Sequence, residues 1–343
     1  MQKEIGSEFW EARPQTGQRE YFLSGRTALE FIIRDILCER TVTSVLMPSY
    51  CCHTMIEPFV RHGIQVRFYD VYFDELQGLS ADIPKTAAGD ILFYMAYFGY
   101  KHICGLNSSE LRKRYSTIIE DKTHSCFCDD NESIADYTFA SYRKWSGFSG
   151  IAEAKKNFGK FQINPKEETN ETYILLREKA SARKRVYINE GEGEKSEFLE
   201  LYDSAEKLLE EDYIGYRPSY RAINDYINSD WKKIEADRRK NAIYLTDKLI
   251  KIEDVKLMFD HIDAEDVPLF VPILVSSNRQ QLREFLINEQ IYCPVHWPLS
   301  DLHNSASLRG KSLYEQEISI VCDQRYGKAD MDRIVGAIRK YYS

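Results

Sequence analysis

Four short segments hold residues whose types and spacing could do chemistry. Leu23-Ser-Gly-Arg-Thr-Ala-Leu29 places small residues ahead of an apolar-periodic run. At such a helix start, free N–H groups and the positive end of the dipole make a seat for a phosphate. The plainer alternative is an N-cap by Ser24. Ile118-Ile-Glu-Asp-Lys-Thr-His124 ends a β-rich run in an acid. An acid at the C-terminal end of a buried parallel strand lies where open α/β sheets bind ligands. Asp121 is therefore expected to point into a crevice, with His124 following; a turn or helix-start Asp is the alternative. Ser141-Tyr-Arg-Lys-Trp-Ser-Gly147 sets a lysine after an apolar strand and beside Trp145. Partial desolvation there would depress the amine's pKa and make Lys144 a Schiff-base nucleophile. A solvated strand-end lysine is the commoner use of such a residue. Pro48-Ser-Tyr-Cys-Cys-His53 reads as a strand-to-helix loop whose Tyr50 and His53 could line a pocket. Its alternative is plain helix initiation with Cys51 or Cys52 packed inside.

Strands and helices must bring these segments together. Apolar runs at Val45–Met47, Gln65–Val71, Asp90–Tyr97, Thr117–Ile119 and Tyr137–Tyr142 read as strands. Thr27–Glu39, Thr54–His62 and Ser108–Arg114 have helical spacing. Such alternation, with near-continuous apolar strands, predicts an α/β layer fold with a largely parallel sheet. From about Ala152 to Glu211 charges are dense, and the block reads as solvated helices broken by a loop at Asn189–Glu194. The Gly191-x-Gly193 pair is flanked by glutamates, which would repel a phosphate. Asp230–Ile252 predicts one long amphipathic helix leading to a smaller domain. That domain has strands at Pro268–Val275 and Ile318–Val321, and helices at Asn278–Asn288 and Ala329–Tyr342.

Composition narrows the function classes. The chain's 343 residues allow two or three domains. The 46 Lys+Arg against 54 Asp+Glu leave a net charge of −8, which argues against non-specific nucleic-acid binding and against docking on anionic membranes. No apolar run reaches the ~20 residues of a membrane span, and the start, Met1–Glu8, has no apolar signal core. A cytoplasmic protein with eight free thiols is the expectation. Cys126-x-Cys128 beside His124 lacks zinc-finger spacing, so no metal site is expected.

The order of the four segments resembles the DegT/DnrJ/EryC1/StrS family, pyridoxal-phosphate (PLP) aminotransferases of the aspartate-aminotransferase fold, fold type I. The likeness continues in Tyr97-Phe-Gly99, Arg238-Arg-Lys-Asn-Ala242, Val295-His-Trp-Pro298 and Asp323-Gln-Arg-Tyr326. It covers nearly the whole chain and is poorest from about Ala152 to Glu211. It implies a large PLP-binding domain, 1–229, with a mostly parallel seven-stranded-type sheet. A linking helix and a small C-terminal α/β domain, 230–343, follow. By position, Lys144 matches the lysine that carries the cofactor and Asp121 the acid that pairs with the pyridine nitrogen. His124 stands at the position that contacts the ring or its 3′ oxygen. Gly25, Arg26 and Thr27 match the phosphate turn.

This chain departs from the family at several positions. The family usually has Thr where Arg26 stands, and Thr27 is the alternative hydroxyl. Its phosphate-binding serine stands five residues before the lysine; Ser141 stands three before and stays a candidate. The place of the ring-stacking aromatic is taken by Cys52, with Tyr50 or His53 as alternatives. The segment that reaches the neighbouring subunit's phosphate is reduced to Gly215-Tyr-Arg-Pro-Ser219. Arg217 and Ser219 are therefore candidate interface residues, with His296 a further interface or substrate residue. The family's dehydratases replace the lysine by His, a change absent here. The resemblance implies a homodimeric aminotransferase with an amino-acid donor, glutamate, and a nucleotide-linked keto-sugar acceptor. A family member acting on a non-sugar metabolite, and a PLP-binding regulatory protein without turnover, stay open. Retention of both Asp121 and Lys144 favours an enzyme. A phosphate-binding module built on Arg143-Lys144 would need no cofactor.

Overall fold

The computed structural model describes residues 17–101, 108–127, 133–275, 278–303 and 308–343. The Met1–Glu8 start, Cys104 and Cys128 lie outside them. In chain order the first elements are β1 (Gln18–Phe22), α1 (Gly25–Glu39), β2 (Ser44–Pro48), α2 (His53–Arg61), β3 (Gln65–Asp74) and β4 (Gly78–Asp82). β5 (Gly89–Met95), α3 (Ser108–Arg114), β6 (Tyr115–Asp121), β7 (Tyr137–Ser141) and β8 (Ala152–Lys156) follow. The sheet order is β1-β8-β7-β6-β5-β2-β3-β4. The five central strands from β7 to β3 are parallel, and the three outer pairings are antiparallel. The sheet has eight strands rather than the expected seven, because β4 folds back on β3 as an added edge. The central strands read as unbroken apolar runs because both faces are covered: every residue of β2 and β7 is buried.

The expectation of helix and loop from Ala152 is corrected at its first five residues. β8 is a sheet strand despite its sequence Ala-Glu-Ala-Lys-Lys. Its charges are paired within the fold. Lys156 Nζ donates to Asp35 at 2.9 Å and to Glu39 at 2.5 Å, and Arg19 meets Glu153 at 3.3 Å. A charge paired in place can occupy a buried strand that composition alone assigns to solvent.

After an irregular stretch over 157–170, α4 (Glu171–Glu190) and α5 (Lys195–Glu211) form a hairpin turned at Gly191. After α6 (Tyr220–Ile227), the long helix α7 (Trp231–Leu249) leads to a second sheet. That sheet has the order β11-β10-β9, built from β9 (Val255–Leu257), β10 (Phe270–Val275) and β11 (Glu317–Val321). Its core joins Leu245 and Leu249 of α7, Leu282 and Leu286 of α8 (Arg279–Asn288), and Met331 and Ile338 of α10 (Lys328–Tyr342). A short helix, α9 (Lys311–Gln316), precedes β11.

The two sheets meet at the Tyr97-Phe-Gly99 turn. Val267 N–H bonds to Gly99 O at 3.0 Å, and Leu269 N–H to Phe98 O at 2.7 Å. Gly99 has φ +89°, and a Cβ there would stand 2.0 Å from Val267 O, so only glycine fits. Among the described residues, no helix is long and apolar enough to cross a membrane and no group of His, Cys, Asp or Glu is placed to hold a metal.

Candidate active site

The C-terminal ends of β6 and β7 are laced together, and this lacing fixes Asp121 relative to Lys144. Lys122 N–H bonds to Phe139 O at 2.7 Å and Ser141 N–H to Thr123 Oγ1 at 3.2 Å. One turn later the Trp145 indole N–H donates to Thr123 O at 2.8 Å. Two donors from the second half of the chain grip the same turn. Gln324 Nε2 reaches Trp145 O at 2.8 Å and Arg238 Nη2 reaches it at 3.4 Å. The Arg238 guanidinium also lies over the Trp145 ring, 4.8 Å from its centre.

Asp121 is 1% exposed and its Oδ1 accepts the Thr123 N–H at 2.7 Å. Burial raises its pKa to about 6, against the pull of Thr123 and of Lys144's charge. Lys144 keeps solvent access at the cleft, yet the surrounding protein desolvates its ammonium. Burial is the largest pressure and lowers its pKa; Cys52 opposes this, Arg143 adds to it, and Asp121 opposes it again.

His124 is fully buried, and its pKa is pushed well down by burial and by the charges of Lys144 and His296. It is therefore a neutral imidazole. Its Nδ1 lies 3.3 Å from the Phe98 backbone N–H, which can only donate. The ring proton accordingly sits on Nε2, a buried donor with no hydrogen-bond partner among the described residues. Burying an unpaired donor is costly, and a ligand acceptor placed there would recover that energy.

The helix start behaves first as an N-cap. Ser24 Oγ accepts the Thr27 N–H at 3.2 Å and pairs with Thr27 Oγ1 at 2.9 Å. The Gly25 and Arg26 N–H groups stand ahead of the first helical bond, Ala28 N to Ser24 O, as at any helix start. The Arg26 side chain turns away to Leu209 O and to the Tyr213 ring. Ser141 faces Gly25 directly: a Cβ on Gly25 would lie 3.2 Å from the Ser141 Cβ and 3.9 Å from its Oγ.

In the Pro48–His53 loop, Tyr50 is fully buried. Its ring stacks on Tyr97 at 5.6 Å and its hydroxyl bonds to His296 O. Cys52 is the residue of that loop in electrostatic contact with Lys144. Burial raises its thiol pKa, but hydrogen bonds from His53 and Thr54, with Lys144's charge, bring it down to about 7. The loop thus sends its aromatic ring into the core and offers a thiol beside the lysine.

Arg217 and Ser219 stand elsewhere and carry structural contacts. Arg217 Nη1 bonds to Glu20 Oε2 at 2.9 Å and Tyr21 O at 3.2 Å, and Ser219 caps α6 through the Ala222 N–H. Both line a second cleft of 770 Å³ with Tyr21, Leu175 and Tyr220. Lys144 instead opens on a cleft of 590 Å³ whose other walls include Trp145, Arg238, Phe270, Arg283 and Gln324.

Sequence reading passed over Glu206 of α5, which pairs with Arg143 at 2.5 Å and Arg177 at 3.3 Å. Nothing distinguishes it among the many acids of an amphipathic helix. It also passed over Glu317 and Ser319, polar residues two apart on a buried strand. That spacing was a usable signal, because strand residues two apart share a face.

No protein-family model and no curated protein sequence matches the chain. Solved structures do match in fold. The aminotransferase TlmJ from Streptoalloteichus hindustanus superposes with a TM-score of 0.67 at 13% identity, covering 94% of this chain and 85% of that one. A DegT DnrJ EryC1 StrS aminotransferase from Brucella abortus gives 0.59 at 16% identity, over 94% and 85% of the two chains. The putative sugar aminotransferase Spr1654 from Streptococcus pneumoniae, in its PLP-form, gives 0.59 at 14%, over 94% and 86%. At these identities the likeness establishes the fold. The expected α/β architecture of fold type I, a mostly parallel large sheet followed by a smaller C-terminal α/β unit, is the one this chain adopts.

Proposed function

We propose that the protein is a PLP-dependent aminotransferase of the DegT/DnrJ/EryC1/StrS kind. In this reading it moves an amino group from an amino acid, glutamate, to a keto or aldehyde acceptor, a nucleotide-linked keto-sugar. One observation carries the reading. A buried acid, an unpartnered imidazole N–H and an amine of lowered pKa meet at one end of the sheet of an aminotransferase-like fold.

The residues fit the cofactor. The unpartnered His124 Nε2–H suits a ring oxygen. Gly25's missing side chain lets the helix start pack close against Ser141, so that the Gly25 and Arg26 N–H groups, Thr27 and Ser141 would together hold a phosphate. When bound, the cofactor supplies an electron sink that lets an amino group pass between two carbonyl partners. The protein's part is binding, orientation and proton control. Asp121, ionised above pH ~6, would hold a proton on the pyridine nitrogen by charge pairing. Lys144 would hold the cofactor and, when freed, would move a proton at the reacting carbon, which suits an amine with a depressed pKa.

The 590 Å³ cleft supports an anionic acceptor. Arg143 and Arg325 are paired with Glu206 and Asp323, and Arg238 with main-chain carbonyls. Arg283 forms no ion pair among the described residues, and its buried Nε is unpartnered. A homodimer belongs to the same proposal. Tyr220, 94% exposed, stands at the second cleft and Ile227, 68% exposed, lies at the end of the same helix α6, as a face covered by another copy would require. The test is an absorption spectrum of the purified protein after incubation with PLP, then borohydride reduction and peptide mapping. The expected label is on Lys144, and label on another lysine rejects the assignment. Spectral return with a panel of keto acids and nucleotide-linked keto-sugars then identifies the acceptor class.

A further inference from the structure

Glu317 and Ser319, so far without a role, form a buried polar chain with His296, the candidate interface or substrate residue. They are 0%, 0% and 6% exposed. Glu317 Oε2 accepts the His296 backbone N–H at 2.6 Å. Ser319 Oγ donates to Glu317 Oε1 at 2.5 Å and lies 2.8 Å from His296 Nδ1. A serine hydroxyl has one hydrogen, and a carboxylate can only accept. That hydrogen goes to Glu317, so Ser319 Oγ accepts from Nδ1–H. His296 therefore presents Nε2 as a lone pair, the reverse of His124. Among the described residues no donor meets Nε2. The ring stands edge-on to His124, with centroids 5.4 Å apart and planes at 86°, and lies 5.2 Å from Phe270 of the Lys144 cleft.

We propose that His296 Nε2 is the base that takes a proton from the ammonium group of the incoming amino donor, with Ser319 and Glu317 as positioning residues that hold the competent tautomer. This rests on the aminotransferase reading. An amino donor arrives as R–NH3+, which has no lone pair for attack. One N–H bond breaks, its electron pair stays on the donor nitrogen, and the proton bonds to Nε2. The products are a neutral amine and an imidazolium. Nδ1–H stays bonded to Ser319, whose hydroxyl points its hydrogen at the Glu317 carboxylate. The new positive charge thus forms close to a fixed negative one.

The charged and titratable groups around the ring act in both directions. Burial lowers the His296 pKa, Glu317 raises it by hydrogen bond and charge, and Lys144 lowers it. His124 faces it as a neutral ring, and the Tyr50 hydroxyl binds its carbonyl.

The experiment uses the full chain loaded with PLP, following the half-reaction with glutamate and other amino acids by absorbance against pH. His296→Gln is expected to slow it about 100-fold at neutral pH and to move the ascending limb up toward the donor's own ammonium pKa. Ser319→Ala is expected to slow it about tenfold. Glu317→Gln should shift the limb to lower pH, because the group raising His296 is neutralised. A readout independent of turnover is 15N NMR of histidine-labelled, cofactor-free protein. It should place the His296 proton on Nδ1 and show a changed tautomer balance in Ser319→Ala. A proton on Nε2 in the parent, or an unchanged rate and pH profile in His296→Gln, overturns the proposal alone. A parent that binds no PLP overturns the aminotransferase reading as well.

Discussion

Gly25 and Ser141 face each other so closely that a methyl group on residue 25 would come within 3.2 Å of the Ser141 Cβ. Alanine is favoured over glycine inside helices, so Gly25→Ala should not unfold α1. The methyl group would instead fill the space in front of Ser141. Gly25→Ala is expected to weaken PLP retention about tenfold or more, roughly 1.4 kcal/mol, with thermal stability of the cofactor-free protein unchanged. Equilibrium dialysis against free PLP checks it.

Asp121 makes cofactor-free stability depend on pH. Its folded pKa, about 6, lies above the ordinary aspartate value of 3.8. Between those values the folded protein holds a proton that the unfolded chain gives up. Asp121's contribution is therefore full below pH ~4 and is lost as pH rises through ~6. Asp121→Asn removes the buried charge. Above pH 7 the variant is expected to be more stable than the parent by on the order of 2 kcal/mol when cofactor-free, with the gap closing below pH ~4. It should also bind PLP less tightly and slow the half-reaction strongly. Thermal unfolding across pH reads the first effect and single-turnover absorbance the second.

Cys52 should be a site-selective thiol. With a pKa of about 7 and Lys144 beside it, its alkylation by iodoacetamide is expected to rise with a midpoint near that pH. Cys51, Cys293 and Cys322 are buried, burial raises their pKa values, and they should label far more slowly. Loading with PLP should protect Cys52. Peptide mass spectrometry against pH, with and without PLP, measures both.

Ser219→Ala removes the cap of α6 and is expected to cost about 1 kcal/mol. Arg217→Ala frees the Gly215–Ser219 segment from Glu20 of β1. Mixing a Lys144→Ala chain with an Arg217→Ala, Ser219→Ala chain tests whether the segment also serves a neighbouring subunit. Partial recovery of activity is the outcome expected of shared sites. Full activity in the double variant by itself would remove the segment from the site.

The parallel strands and the Asp121–His124 and Ser141–Lys144 segments were legible because their information is local. Apolar runs flanked by polar strand ends declare both a buried strand and the polar turn at its C-terminal end. β8 was not, since Lys156 is buried only through Asp35 and Glu39, more than a hundred residues away. The short edge strands β1 and β4 carry too few apolar residues to stand out from loops. Tyr50 illustrates the remaining limit. A tyrosine in a strand-to-helix loop can face the crevice or the core, and here contacts with Tyr97, His296 and Tyr314 decide it. His124 was named from its place after Asp121, but its proton position follows from Phe98, whose amide reaches it only in the folded chain.

Trp145 follows Lys144 in the chain with its indole tied to Thr123, and Trp297 stacks on His124 with ring centroids 5.4 Å apart. Trp231 joins them through Phe127, which packs edge-on against both Trp145 and Trp231. A chromophore settling on Lys144 would therefore lie beside two indole fluorophores, with a third one ring away. Such a chromophore would dim the intrinsic emission on arrival and restore it on leaving, a label-free optical gauge of occupancy.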